Sequence, residues 1–146
     1  MTDHIFVYGT LSPGNAPPEI AATVSRLRPV GAASVRGRLY DLGEYPGAVL
    51  NEKSRTLIRG EVFELPGDPN TLTALDDYEG FEPSKPSSSL FLRRVRAVTM
   101  DDGKRVRCWV YIYNGTTKGA PALRNGRYSR RRVSRRAASA RSSAGK

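Results

Sequence analysis

A chain of 146 residues, 38% apolar and 26% charged, is long enough for one domain with a proper core and too short for two. Its net charge of +10 is lopsided: residues 127–146 hold eight Lys or Arg and no acid, which leaves residues 1–126 at only +2. A single cysteine, Cys108, excludes an internal disulfide and offers no metal set, and no segment approaches the roughly 18 consecutive apolar residues of a membrane span.

Met1-Thr2-Asp3-His4 has neither the basic nor the long apolar region of a secretory signal, so the expectation is a soluble cytoplasmic protein. His4-Ile5-Phe6-Val7-Tyr8 is a nearly continuous β-prone run and reads as a buried first strand. The only histidine, His4, starts that run with no catalytic partner in view, so it reads as structural or exposed. The strand breaks at Gly9-Thr10-Leu11 and passes into Ser12-Pro13-Gly14-Asn15, a loop by composition. A glycine just past a strand end lets consecutive N–H groups converge on an anion, although Gly-Thr there is usually an ordinary turn. Pro17-Pro18 then opens a helix in which Ile20, Val24 and Leu27 form an i, i+4, i+7 stripe.

Val35-Arg36-Gly37-Arg38-Leu39-Tyr40-Asp41-Leu42 is echoed by Ile58-Arg59-Gly60-Glu61-Val62-Phe63-Glu64-Leu65. Two copies do not make a solenoid; two similar strands of one curved sheet account for them better. Between them, Tyr45-Pro46-Gly47-Ala48-Val49-Leu50 reads as a turn entering another strand. Asp68 is a credible N-cap, Pro69 suits the first helical position, and Gly80 suits the stop, which predicts a helix ending at Glu79. Within it Leu72, Leu75 and Glu79 fall at i, i+3 and i+7, so Glu79 is the acid expected on the apolar face, with Asp76 on the flank and Asp77 on the far side. Burial raises a carboxyl pKa toward the range where the group both accepts and donates a proton, making Glu79 a candidate general acid/base. The bland alternative is an acid at a helix end that leans into solvent.

The stretch 81–89, with Pro83, Pro86 and four serines, reads as a mobile loop. Leu90 to Met100 and Lys104 to Tyr113 are two β-prone runs joined by Asp101-Asp102-Gly103, a strong hairpin signal. Cys108 lies in the second run, where a small buried hydrophobe is the expected role. Trp109, Tyr111 and Tyr113 share one strand face and read as core or pocket wall, while Arg36, Arg38, Arg93, Arg94 and Arg96 read as solvated strand positions, one of them facing a pocket. Five or six strands with two helices predict an α+β domain built on a closed or nearly closed mixed barrel over residues 1–128. The Arg-rich stretch 129–146 has no apolar pattern and reads as a disordered basic tail.

Tyr8-Gly9-Thr10-Leu11, Tyr45-Pro46-Gly47-Ala48, Leu75-Asp76-Asp77-Tyr78-Glu79-Gly80, Arg93-Arg94-Val95 and Trp109-Val110-Tyr111 together resemble the γ-glutamylcyclotransferase-like family, which includes the γ-glutamylamine cyclotransferases. The match in order and spacing runs over about residues 4–128, ending at Gly126-Arg127-Tyr128. The resemblance implies a small mixed β-barrel with flanking helices, no cofactor or metal, and an active site at one mouth of the barrel. It places the catalytic glutamate on Glu79 and the substrate-binding loop on Tyr8, Gly9, Thr10 and Leu11. The implied reaction releases an amine or amino acid from a small γ-glutamyl compound by closing the substrate into 5-oxoproline, chemistry linked to glutathione metabolism. Departing from the pattern, Leu90-Phe91-Leu92-Arg93-Arg94 lacks the tyrosine many members carry directly before the arginine, and either Phe91 or Leu92 takes its place. The rival expectations are a non-catalytic small-molecule-binding module of the same fold, and nucleic-acid association through the basic tail, which would weaken steeply with salt.

Overall fold

The computed structural model of the chain describes residues 2–9, 16–43 and 45–123. Thr10 and Leu11 of the expected binding loop, the Gly126-Arg127-Tyr128 motif and the basic stretch 129–146 lie outside the described residues.

The elements follow the order β1 (His4–Val7), α1 (Pro18–Val24), β2 (Arg28–Asp41), β3 (Pro46–Leu50), β4 (Leu57–Glu64), α2 (Pro69–Glu79), β5 (Phe91–Met100) and β6 (Arg105–Tyr113). Hydrogen bonding runs β3-β2-β4-β1-β6-β5, and β5 returns to β2, so five strands close into a barrel with β3 attached outside the ring. Every pairing is antiparallel except β1–β6, where Ile5 stands opposite Trp109. Closure removes the row of unpaired edge groups that an open five-stranded sheet would present. The two echoing segments are indeed neighbours, β2 and β4, with Val35 opposite Ile58.

The period-2 alternation of the strands divides the apolar residues into two cores. Phe6, Leu39, Ala48, Ile58, Val62, Val98, Cys108 and Val110 fill the barrel. Their sequence neighbours Ile5, Val7, Phe63 and Tyr111 point outward, where they are covered by Ile20 and Val24 of α1, Leu27 just beyond it, and Leu75 and Tyr78 of α2. Cys108 is a buried filler, as expected, and burial pushes its thiol pKa up to about 12.

The stretch 81–89 differs from the loop expected. Phe81 is buried, Pro86–Ser88 form one 3-10 turn, and Ser89 Oγ accepts from the Glu82 N–H. The Asn114 side-chain amide donates to the carbonyls of Pro86, Ser87 and Ser89, which ties the segment to the end of β6.

Candidate active site

Helix α2 is held in place by its two ends. The Asp68 carboxylate accepts from the Asn70 N–H and Pro69 occupies the first turn; Gly80 then takes the left-handed conformation at φ 76°. The Phe81 N–H donates back to the Asp76 carbonyl and the Gly80 N–H to that of Asp77, so the helix stops with Glu79 as its last residue. A Cβ at position 80 would be strained at that φ and would meet Leu90 Cβ at 3.1 Å.

The buried carboxylate of this helix is Asp76, which corrects the expectation that the helix would bury Glu79 and leave both aspartates outside. Asp76 is 5% exposed and Glu79 is half-buried. The covered face, Thr71, Leu75, Asp76 and Tyr78, is wider than the stripe that the leucines define. Strands β5 and β6 wrap its flank and bring complementary groups to it. Arg93 Nε donates to Asp76 Oδ1 at 2.7 Å and its Nη2 to Oδ2 at 3.0 Å, a two-point grip, and the Tyr111 hydroxyl donates to Oδ1 at 2.7 Å. Arg93 and Tyr111 are direct cross-strand partners, so the β5–β6 register delivers both together. The Arg93 guanidinium also lies over the Trp109 ring at 4.2 Å and near the Phe81 ring at 5.6 Å. Arg93 is thus a partly buried, paired cation, the kind of inward-facing position expected of one of the five strand arginines. Phe91, on the same face, packs edge-on against Tyr45 and Tyr113, so the phenol beside the Asp76–Arg93 pair comes from Tyr111 on β6.

From Tyr111 the network continues to the end of β1. The Tyr8 hydroxyl donates to the Tyr111 carbonyl. The Tyr8 phenol is raised well above its ordinary pKa, first by burial and second by the negative charge of Glu79, with the Ala48 main chain of β3 opposing. Glu79 also raises the Tyr111 phenol, after burial and the adjoining Asp76. The Glu79 carboxylate at the end of α2 is thus near enough to both tyrosines for its charge to act on them. Both phenols remain protonated at neutral pH, so they hold position and donate; neither can serve as a base. Gly9 follows Tyr8 with a φ outside the left-handed region, and a Cβ there would touch Pro46 Cγ at 3.4 Å, so the Tyr45-Pro46-Gly47-Ala48 turn walls this side of the site. The described residues contain no group of three or more His, Cys, Asp or Glu that could hold a metal ion, and none of their helices is long and apolar enough to cross a membrane.

Sequence reasoning singled out Tyr8, Gly9 and Glu79 as candidates, and in the fold Glu79 lies near enough to Tyr8 for its charge to act on it. That reasoning missed Asp76, Arg93 and Tyr111 as one linked group. The available signal was Arg93 sharing a strand face with Phe91 and Val95, in a run where the alternate face carries Arg94 and Arg96.

Five strands closed into a ring, with two helices packed outside it, define a small α+β barrel. The chain matches the family model described as gamma-glutamyl cyclotransferase, AIG2-like, over residues 5–130, and it belongs to that family. Among solved structures, an AIG2-like protein from Mus musculus superposes with a TM-score of 0.66 at 26% identity, covering 87% of this chain and 88% of that one. The protein ytfP from Escherichia coli gives 0.60 at 26% identity, with 88% and 97% covered. YkqA from Bacillus subtilis gives 0.63 at 23% identity over 88% of this chain but only 40% of its own, so this chain spans less than half of that protein. No curated protein matches the chain.

Proposed function

We infer that this protein is a γ-glutamyl cyclotransferase, releasing the amine or amino acid of a small γ-glutamyl compound and closing the remainder into 5-oxoproline. What supports the reading is that Glu79, at the end of α2, lies near enough to Tyr8, just past β1, for its charge to act on it, so that two family motifs 71 residues apart in sequence come close in the fold. Membership of the family supports the reaction class.

The reaction needs no nucleophilic side chain, because the nucleophile is the substrate's own α-amine. Holding the substrate folded, with that nitrogen against the γ-amide carbon, supplies the proximity term. Glu79 takes one proton from the α-ammonium, freeing the lone pair that attacks, and passes it to the departing nitrogen as the old C–N bond breaks. The second proton shed by the ring nitrogen leaves with the product amine, released as its ammonium, so no water or cofactor is consumed. Tyr8, Gly9, Thr10 and Leu11 are the proposed substrate loop, their main-chain N–H groups meeting the substrate carboxylate or the developing oxyanion.

The test is 5-oxoproline formation from a panel of γ-glutamyl amines and γ-glutamyl amino acids, with Glu79→Gln and the exposed Asp77→Asn compared alongside. Glu79→Gln should lose about 10²–10⁴-fold in turnover with the fold intact, and Asp77→Asn should lose little. Near-normal turnover in Glu79→Gln would overturn the mechanism. Binding of a γ-glutamyl compound by the wild-type protein with no turnover of any of them would replace the enzyme reading with a binding module.

A further inference from the structure

Strand β2 changes partners along its length, and the change leaves a gap in the barrel wall. It pairs with β5 at Ala33/Met100 and Ser34/Thr99, then from Gly37 onward with β3. β3 ends the hydrogen-bonded order, and among the described residues β5 has no strand beside it on this side before Thr99. Between the two lies a groove of about 1240 Å³, with Val49, Leu50 and Asn51 on one flank and Arg96 and Ala97 on the other.

The alternation of the antiparallel ladder fixes where the β5 main chain points. The Met100 N–H donates to the Lys104 carbonyl at 2.7 Å, while the next N–H, that of Asp101, donates to the Ala32 carbonyl of β2 at 3.1 Å. Thr99 and Ala97 share the parity of Asp101, so their N–H and C=O groups point to the β2 side of β5. Thr99 meets Ser34 there, and Ala97 meets the groove. One wall of the groove is therefore a strand edge able to take a further strand.

The side chains supply charge and apolar surface. Arg36, Lys53, Arg96 and Arg105, all exposed, stand around the groove against one acid, Glu52. The ion pairs among the described residues, Arg26–Asp68, Arg28–Glu64 and Arg93–Asp76, involve none of these four cations. Arg36 and Arg96 donate to the neutral carbonyls of Ser54 and Val95, which leaves their charge uncompensated. Val35, Leu50 and Ile112 form an aliphatic floor where the barrel core comes to the surface.

We propose that this groove docks an acidic, aliphatic segment of a partner protein, which adds to the β5 edge as an extended strand. Its carboxylates meet the four cations, and its alternate aliphatic side chains lie on the floor. The groove exceeds the roughly 300–1,000 Å³ of small-molecule pockets, which favours a polymer. None of the described residues lining it is aromatic, so it lacks the platform on which single-stranded nucleic acid stacks its bases. Cations along a strand edge repel a second basic strand and select an acidic one. Tyr8, Gly9 and Glu79 are not among the lining residues, so the proposal does not depend on the cyclotransferase reading.

The test measures binding of fluorescent ten-residue peptides to the full chain by anisotropy. One peptide alternates Glu and Val, and a second carries the same residues as two blocks. Two further versions of the alternating peptide are methylated on the main-chain nitrogens of either the Glu or the Val residues. The alternating peptide should bind at least about fivefold more tightly than the block peptide of equal charge. One methylated version should lose at least about tenfold, because only one set of N–H groups faces β5. These comparisons leave the protein intact. Two variants of equal net charge are then compared, Arg36→Gln/Lys53→Gln/Arg96→Gln in the groove and Arg28→Gln/Lys85→Gln/Lys118→Gln elsewhere. The groove variant should bind the alternating peptide about tenfold more weakly and the control variant little differently. No binding of the alternating peptide, equal binding of the block peptide, or equal affinities of the two variants would overturn the proposal. Undiminished binding of both methylated versions would overturn strand addition. Tighter binding of a single-stranded RNA of the same charge, lost in the groove variant, would overturn the assignment to a peptide.

Discussion

Replacing Asp76 by alanine should cost far more than its flank position on helix α2 suggests. The carboxylate is 7% exposed and its partner Arg93 is 15% exposed, so the pair is shielded from solvent on both sides. Removing one member of a buried pair leaves the other charge without its counter-ion, which typically costs about 3–5 kcal/mol. The Tyr111 hydroxyl loses its acceptor as well, a further penalty of about 1–3 kcal/mol when taken alone. These losses overlap, because one relaxed pocket can admit water to both groups. The Arg93 guanidinium also keeps its place over the Trp109 ring at 4.2 Å. The expected total is therefore about 4 kcal/mol, or roughly 10–15 °C in Tm for a domain of this size. Asp76→Asn retains an acceptor for Tyr111 and should cost about half as much. Urea unfolding of the wild type, Asp76→Ala, Arg93→Ala and the double variant should give a coupling of about 1.5–3 kcal/mol between the two positions. A loss below about 1 kcal/mol in Asp76→Ala, or a coupling near zero, would refute the claim that this pair anchors α2 to the barrel.

The Asp68 cap should confer a pH-dependent stability. Its pKa is lowered in the folded state, first by the Asn70 N–H and then by Arg26, so its contribution is complete above the unfolded carboxyl pKa and is lost as pH falls through the folded one. Wild type and Asp68→Ala should therefore converge in stability as a urea series is carried down through pH 4, and a constant gap would refute the assignment. Gly60→Ala should be strongly destabilising, by about 2–4 kcal/mol, because its Cβ would lie 2.3 Å from the Val7 carbonyl oxygen on the neighbouring strand. Gly67→Ala, with nothing within 4 Å, is the control, and equal thermal stabilities of the two variants would refute the close approach. Cys108, buried in the barrel with its thiol pKa pushed up to about 12, should resist a thiol-specific reagent in the native protein and react promptly in denaturant; prompt native labelling would show that the barrel interior is open.

Much of this molecule follows from local chemistry that one segment carries alone. Asp68, Pro69 and Gly80 set the two ends of α2 because a cap, a first-turn proline and a left-handed stop act on their own backbone. Asp101-Asp102-Gly103 joins β5 to β6 for the same reason, and the two echoing segments become neighbouring strands because they share one pattern of alternation. Tyr8 and Glu79 were legible as candidates through motifs that each lie in one short stretch of chain. What sequence could not decide was which acid of α2 is buried. Helical periodicity weighs a residue only against its own helix, and there Asp76 lies on the flank. Its burial depends on Arg93 and Tyr111, cross-strand partners on β5 and β6 that meet it only once the barrel has closed. Arg36, Lys53, Arg96 and Arg105 are likewise scattered along the chain, and they come to line one groove because β2 leaves β5 to pair with β3. Charge and burial are properties of a neighbourhood, and tertiary pairing decides which residues are neighbours.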